Sequence, residues 1–282
     1  RKGFTLKEKG KCVIDITANS RYRLWINGVG VQSGPLRSDR YRHFYETIDL
    51  SEYLVDGENI IAVQVLLVDR SYTKQQGYHP EGIFGIDSLP YGHRLAIEGK
   101  VFSCQDENQV LEDLTTGMAE WKVYLDTSFY LDWLPIGSDC MGATIENIDF
   151  SKVPHDYKYS SFDDSSWKNA EVIETVIWKE WIKAFGIYQA FDVKQRPVAL
   201  LYEKPFSFSE ELVSKVFCDP SVDFVQILPG EKKKMIFALP YVMNLFPSYG
   251  FSGGKDAKVR FTYFERFEKL GVADEEQVLR DD

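Results

Sequence analysis

Asn19-Ser20-Arg21-Tyr22-Arg23-Leu24-Trp25-Ile26-Asn27-Gly28 decides the fold. Tyr22, Leu24 and Ile26 alternate with Arg21, Arg23, Trp25 and Asn27, a period of two that sends the first set toward a core and the second to the other face of a strand. Asn27-Gly28 then suits a tight turn, since both residue types tolerate positive φ. The same period precedes it in Cys12-Val13-Ile14-Asp15-Ile16-Thr17-Ala18, with Cys12, Ile14, Ile16 and Ala18 on one face. Further strands are predicted at Phe44–Leu50, at Ile60–Leu67 with Ile61, Val63, Val65 and Leu67 facing one way, and at about His93–Phe102. Ser51–Leu54 reads as a single helical turn and Asp56-Gly57 as a tight one. No window here sustains a 3.6-residue period over about ten residues, which excludes parallel strands joined by crossover helices. Short strands between Gly, Asn and Asp turns predict an all-β protein, an antiparallel sandwich or jelly roll.

Beyond this stretch the pattern loosens. Asp106–Leu114 is mostly polar and reads as loop, Trp121–Leu125 as strand, and Phe162-Asp163-Asp164-Ser165-Ser166-Trp167 as a turn leading into another strand. From about 178 the texture changes again. Arg196–Glu203 is extended, Ser209–Val216 fits one short capped helix, Lys234–Leu239 follows the Pro229-Gly230 turn as a strand, and Lys258–Glu265 places Val259, Phe261 and Tyr263 on one face. The expected division is 1–177 for a complete sandwich and 178–282 for the start of a second, incomplete β-sandwich.

Composition bounds the function. The 282 residues carry 33 Lys and Arg against 43 Asp and Glu, a net charge of −10. A phosphate-tracking surface needs clustered cations, so nucleic acid and anionic membrane are excluded as partners. No apolar run approaches the roughly 20 residues of a membrane span. Cys12, Cys104, Cys140 and Cys218 lie far apart, which predicts free buried thiols rather than a zinc site. His43, His79, His93 and His155 share no metal-ligand or triad spacing, so no metal or cofactor is expected. The start, Arg1-Lys2-Gly3-Phe4, has neither an initiator Met nor an apolar leader, so a piece of a longer chain is expected and the compartment stays open. Aromatic residues reach 15%, and they serve either a core or a sugar-binding surface.

Several motifs together resemble the N-terminal non-catalytic sandwiches of bacterial α-L-rhamnosidases. They are the opening stretch, then Ser33-Gly34-Pro35-Leu36-Arg37-Ser38-Asp39, Tyr45-Glu46-Thr47-Ile48-Asp49-Leu50 and Leu54-Val55-Asp56-Gly57-Glu58-Asn59-Ile60-Ile61-Ala62-Val63. Glu120-Trp121-Lys122-Val123, Gly142 through Glu146, and Phe162 through Ala170 echo later strands of that domain, and Gly253-Gly254 through Glu265 resembles the family's next sandwich. The departures are Leu36 before Arg37, and Phe237-Ala238-Leu239-Pro240 where the family has an Asp-x-Gly strand. The resemblance implies a galactose-binding-like jelly roll followed by the incomplete second sandwich, the N-terminal part of a glycosidase acting on rhamnose-containing glycans or glycosides. It also implies packing on a downstream six-hairpin α/α barrel that bears the catalytic acid and base. No catalytic residue carries over to this sequence, so the chain alone is expected to be inactive.

Trp25, with Arg21, Arg23 and Asn27, is the leading candidate for a carbohydrate platform, because a ring face receives C–H groups while Arg and Asn bind hydroxyls. Tyr78 and His79 extend the candidate set from the aromatic loop Tyr72–Tyr91, which either reaches the substrate cleft or caps the sandwich. Against this stands a Trp25 covered by a second layer, as packing. Asn19 is a weak calcium candidate, since that ion takes about six to eight oxygens and one neutral amide is in view. Asp163 and Asp164 point apart as neighbours in a turn and are assigned to capping. A stand-alone carbohydrate-binding module and a ligand-free scaffold are the rival functions.

Overall fold

The computed structural model describes residues 1–19, 21–36, 42–66, 94–133, 144–172, 192–201, 215–216, 226–232, 237–238, 249–255 and 257–261. Among them the regular structure is strand, without helix. The chain divides into two compact units, Arg1–Tyr202 and Glu203–Asp282.

The first unit is an all-β sandwich. One sheet has the order β1 (Lys2–Leu6), β6 (Gly57–Leu66), β3 (Arg21–Ile26), β4 (Val29–Gly34), antiparallel throughout. The other has the order β13 (Asp192–Gln195), β5 (Arg42–Asp49), β2 (Gly10–Asn19), β7 (Arg94–Ser103), β8 (Val110–Asp113), antiparallel except for the parallel pairing of β13 with β5. The alternation read from the sequence is the packing observed. Tyr22, Leu24 and Ile26 meet Cys12, Ile14, Ile16 and Ala18 across the sandwich, joined by Phe4, Leu6, Ile48, Ile61, Ile97 and Val101. Each large aliphatic side chain buried this way contributes about 1.5–3 kcal/mol, which fixes the register of every strand involved, because a one-residue slip would turn the apolar set outward.

Turns fall where glycine and asparagine allow them. Asn27 has φ 50° and Gly28 φ 83°, closing β3 into β4. A Cβ on Gly28 would lie 2.2 Å from the Tyr159 ring, so this position needs glycine for space as well as for φ. Asn59 locks the neighbouring corner: its side-chain amide donates to the carbonyls of Val55 (2.8 Å) and Gly57 (3.0 Å), and its Oδ1 accepts from Val55 N and Asn27 Nδ2, both at 3.0 Å.

Several expectations change. Val110–Asp113, read as loop, is edge strand β8, short and polar because one side faces solvent. The first unit runs past 177, because Asp192–Gln195 returns to the sheet as β13. Arg196–Leu201 follows that strand without joining a ladder. Cys12 is a free buried thiol as expected, whereas Cys104 is exposed.

The remaining strands are short. β9 (Lys122–Val123) pairs with β12 (Lys168–Asn169), and β10 (Phe129–Trp133) with β11 (Thr144–Ile148). In the second unit β14 (Lys215–Val216) pairs antiparallel with β15 (Phe237–Ala238). Lys215 and Val216, expected at the end of a helix, are therefore strand; the rest of Ser209–Val216 lies outside the described residues. Lys258–Phe261 forms no ladder, and Phe261, expected on a buried face, is 41% exposed and stacks on Tyr249 with ring centroids 3.8 Å apart. Tyr263 lies outside the described residues.

Candidate functional site

Trp25 does lie on the face of β3 opposite the core residues, but its ring is only 7% exposed. Segment Asp149–Ala170 supplies the cover. Tyr157 meets the Trp25 ring edge-on at 6.2 Å, and Lys158 Nζ sits 4.1 Å from the ring centroid, with the Arg23 guanidinium at 5.6 Å. Two cations on one indole give this cluster its electrostatics. Burial lowers the Lys158 pKa, and the nearby Arg23 lowers it further. Burial also pushes the Tyr157 hydroxyl up to about 12, with Asp126 adding to the rise and Arg23 opposing it.

The covering segment is tied down at several points. The Arg1 guanidinium donates to the carbonyls of Tyr157 (3.0 Å), Tyr159 (3.0 Å) and Phe162 (3.3 Å), and pairs with the Asp164 carboxylate. Trp167 stacks on Tyr124 at 5.2 Å and meets Phe162 edge-on at 5.4 Å. Ala170 N donates to Trp121 O at 2.7 Å, and the buried Trp121 indole donates to Leu114 O at 3.2 Å. The aromatic rings here run from a buried Trp25 to an exposed Tyr124 as one packed layer.

Asn27 is spoken for. Its amide donates to Tyr53 O and Asn59 Oδ1, both at 3.0 Å, and its Oδ1 accepts from Ile60 N at 2.8 Å. Arg21 and Arg23 are half-buried on the same strand. Asn19 closes β2, its backbone paired with Arg94. Tyr78, His79 and the whole Tyr72–Tyr91 loop lie outside the described residues. Asp163 accepts from Ser165 N at 2.9 Å, a turn cap as expected, and Asp164 faces Arg1 instead. Among the described residues no three His, Cys, Asp or Glu side chains gather as a metal site.

A second polar cluster lies inside the sandwich, around a residue that is not among the candidate site residues named from the sequence. Glu46 of β5 is fully buried, 0% exposed at the side chain. It accepts from Tyr22 Oη (2.9 Å), Leu36 N (2.7 Å) and Arg196 Nη1 (3.4 Å). Burial raises the Glu46 pKa, while Leu36 N, Tyr22 and Arg196 each oppose the rise. Burial and the Glu46 charge together raise that of Tyr22. A Cβ on Gly34 would come within 2.6 Å of Glu46 Oε2 and 2.7 Å of the Tyr22 ring, so the approach of this corner requires glycine. A carboxylate at alternating core parity is a sequence signal for such a site: Glu46 shares its face of β5 with Ile48.

Comparison with known proteins gives one family. The model described as "Alpha-L-rhamnosidase N-terminal domain" matches residues 7–184. Among solved structures, the GH78 family rhamnosidase of Bacillus sp. GL1 superposes with a TM-score of 0.51 at 22% identity, over 76% of this chain and 19% of that one. The α-L-rhamnosidase of Dictyoglumus thermophilum gives 0.42 at 26% identity, over 61% and 17% of the two chains. That of Streptomyces avermitilis, complexed with L-rhamnose, gives 0.43 at 20%, over 61% and 16%. The Bacillus likeness shows the fold. The chain spans under a fifth of the length of each of these three structures. A search of curated proteins returns no match. Among the described residues no helix is long and apolar enough to cross a membrane.

Proposed function

Because the chain belongs to the α-L-rhamnosidase N-terminal domain family, we propose that it is the non-catalytic sandwich portion of an α-L-rhamnosidase-like glycoside hydrolase, supporting the catalytic domain by packing. The observation that carries this reading is the match over residues 7–184, which takes in β2 through β12 and the covering segment. In the parent enzyme terminal α-L-rhamnosides are cleaved with inversion. One carboxylic acid protonates the leaving oxygen, and a second carboxylate about 6.5–9.5 Å away activates water, both on a downstream barrel. Within this chain Asp163 is engaged as a cap and Asp164 by Arg1, so this adjacent pair does not offer an acid and a base to one substrate bond.

A carbohydrate-binding module built on Arg21, Arg23, Trp25 and Asn27, with Tyr78 and His79, is the rival. The covered Trp25 ring and the committed Asn27 amide favour the scaffold. Two measurements test the reading. The chain is expected to release no aglycone from an aryl α-L-rhamnoside, and turnover that survives repurification overturns it. Titration with L-rhamnose, followed by tryptophan fluorescence, is expected to be flat. Saturable quenching abolished by Trp25→Ala would instead establish the binding module.

A further inference from the structure

β13 is a weak strand by its own hydrogen bonds. It has four residues, sits at a sheet edge, and pairs in parallel, the less stable mode per residue. Its neighbouring side chains supply what the ladder lacks. Gln195 Nε2 donates to Thr47 Oγ1 at 3.0 Å, and Thr47 Oγ1 donates to Asp15 Oδ1 at 2.6 Å, which ties the strand across β5 to β2. Arg196 N donates to Tyr45 O at 2.9 Å, and Arg196 Nε holds the following bend through Val198 O at 3.0 Å. Its Nη1 enters the sandwich to Glu46, with the Arg196 side chain 6% exposed.

Glu46 Oε1 receives both Arg196 and Leu36 N, while Oε2 receives the Tyr22 hydroxyl. One carboxylate thus joins β13 to the Gly34–Leu36 corner at the end of β4, two segments far apart in sequence. A buried anion that loses its cation must draw its remaining donors closer, take up a proton or move. We propose that β13 is a detachable strap locked by Arg196 on Glu46, and that this carboxylate couples the strap to the Gly34–Leu36 corner. Release of the strap shifts Glu46 and frees the Leu36 amide; displacement of the corner weakens the hold on Arg196.

Amide hydrogen exchange on the whole chain tests this. In Arg196→Gln, exchange at β13 and at Leu36 is expected to quicken at least tenfold, with β2 and β7 amides unchanged. Glu46→Gln is expected to act on the same amides, and the double variant to exceed the faster single by no more than about twofold, because both break one interaction. An unchanged Leu36 amide in Arg196→Gln overturns the coupling, as do effects that multiply in the double variant. Equal acceleration in β2 and β7 overturns the strap, making Arg196 a general support of the fold. If Glu46→Gln or Arg196→Gln does not fold, Arg196→Lys decides the matter: it is expected to show intermediate acceleration at β13 and Leu36 together, and wild-type exchange at either overturns the proposal.

Discussion

His43 shows how a single half-buried side chain writes a pH dependence into the sandwich. Thr17 Oγ1 donates to Phe44 O at 2.8 Å and lies 2.7 Å from His43 Nε2, so the neutral ring donates from Nε2. Burial lowers the His43 pKa to about 4, against roughly 6.5 in an unfolded chain. Between those values the unfolded state holds more protons, so stability is complete above about pH 6.5 and falls toward pH 4, by up to about 1.4 kcal/mol per unit. Urea unfolding at pH 4, 5, 6 and 7 is expected to show a shallower fall in His43→Gln than in the wild type. Equal slopes would remove His43 as the cause. Trp25→Ala, which empties the space under Tyr157 and Lys158, is expected to cost about 3–5 kcal/mol, read as a lowered urea midpoint. Gly34→Ala is expected to cost about 1–3 kcal/mol, since Tyr22 and Glu46 are held too firmly to yield to a methyl.

Among the elements, the corner between Tyr53 and Asn59 is held by amides more than by apolar area. Asn59→Ala removes the buried side-chain amide that satisfies Val55 N and the carbonyls of Val55 and Gly57 at this partly buried corner. The expected loss is about 3 kcal/mol by thermal or urea unfolding, and Asn59→Asp is expected to recover little of it, because a carboxylate cannot donate to those carbonyls. The same scale explains what the sequence discloses. Strands β2, β3, β5, β6 and β7 are legible because each sets apolar residues two apart against a single core. Strands β8 and β13 are not, because edge strands of four residues carry too few core positions for a period to register. Alternation puts Trp25 on the correct face, but a local pattern cannot foresee a cover contributed from more than a hundred residues downstream. Glu46 is a different case: its parity with Ile48 marks it as inward, but its partners, Tyr22, Leu36 and Arg196, come from three separate segments that no local pattern brings together.

At the scale of the whole molecule, the family is legible from ordered motifs, whereas the domain limit is not. A break at 177/178 follows the change in composition, but β13 is sequestered by pairing with β5, which composition does not encode. A chain ending at Tyr202 is therefore expected to keep the sandwich, with a cooperative thermal transition and near-ultraviolet circular dichroism from the buried Trp25 and Trp121. Loss of that signal would show that the first unit depends on the second.

The parallel strand has one more consequence, for solubility. Without it, β5 would offer eight residues of unpaired backbone along the flank of the five-stranded sheet, a template for another chain to extend. β13 occupies that flank with a strand half as long, and its exposed Lys194 and Gln195 discourage further growth. Light scattering on a chain ending at residue 191 is expected to rise over time where the chain ending at Tyr202 stays clear.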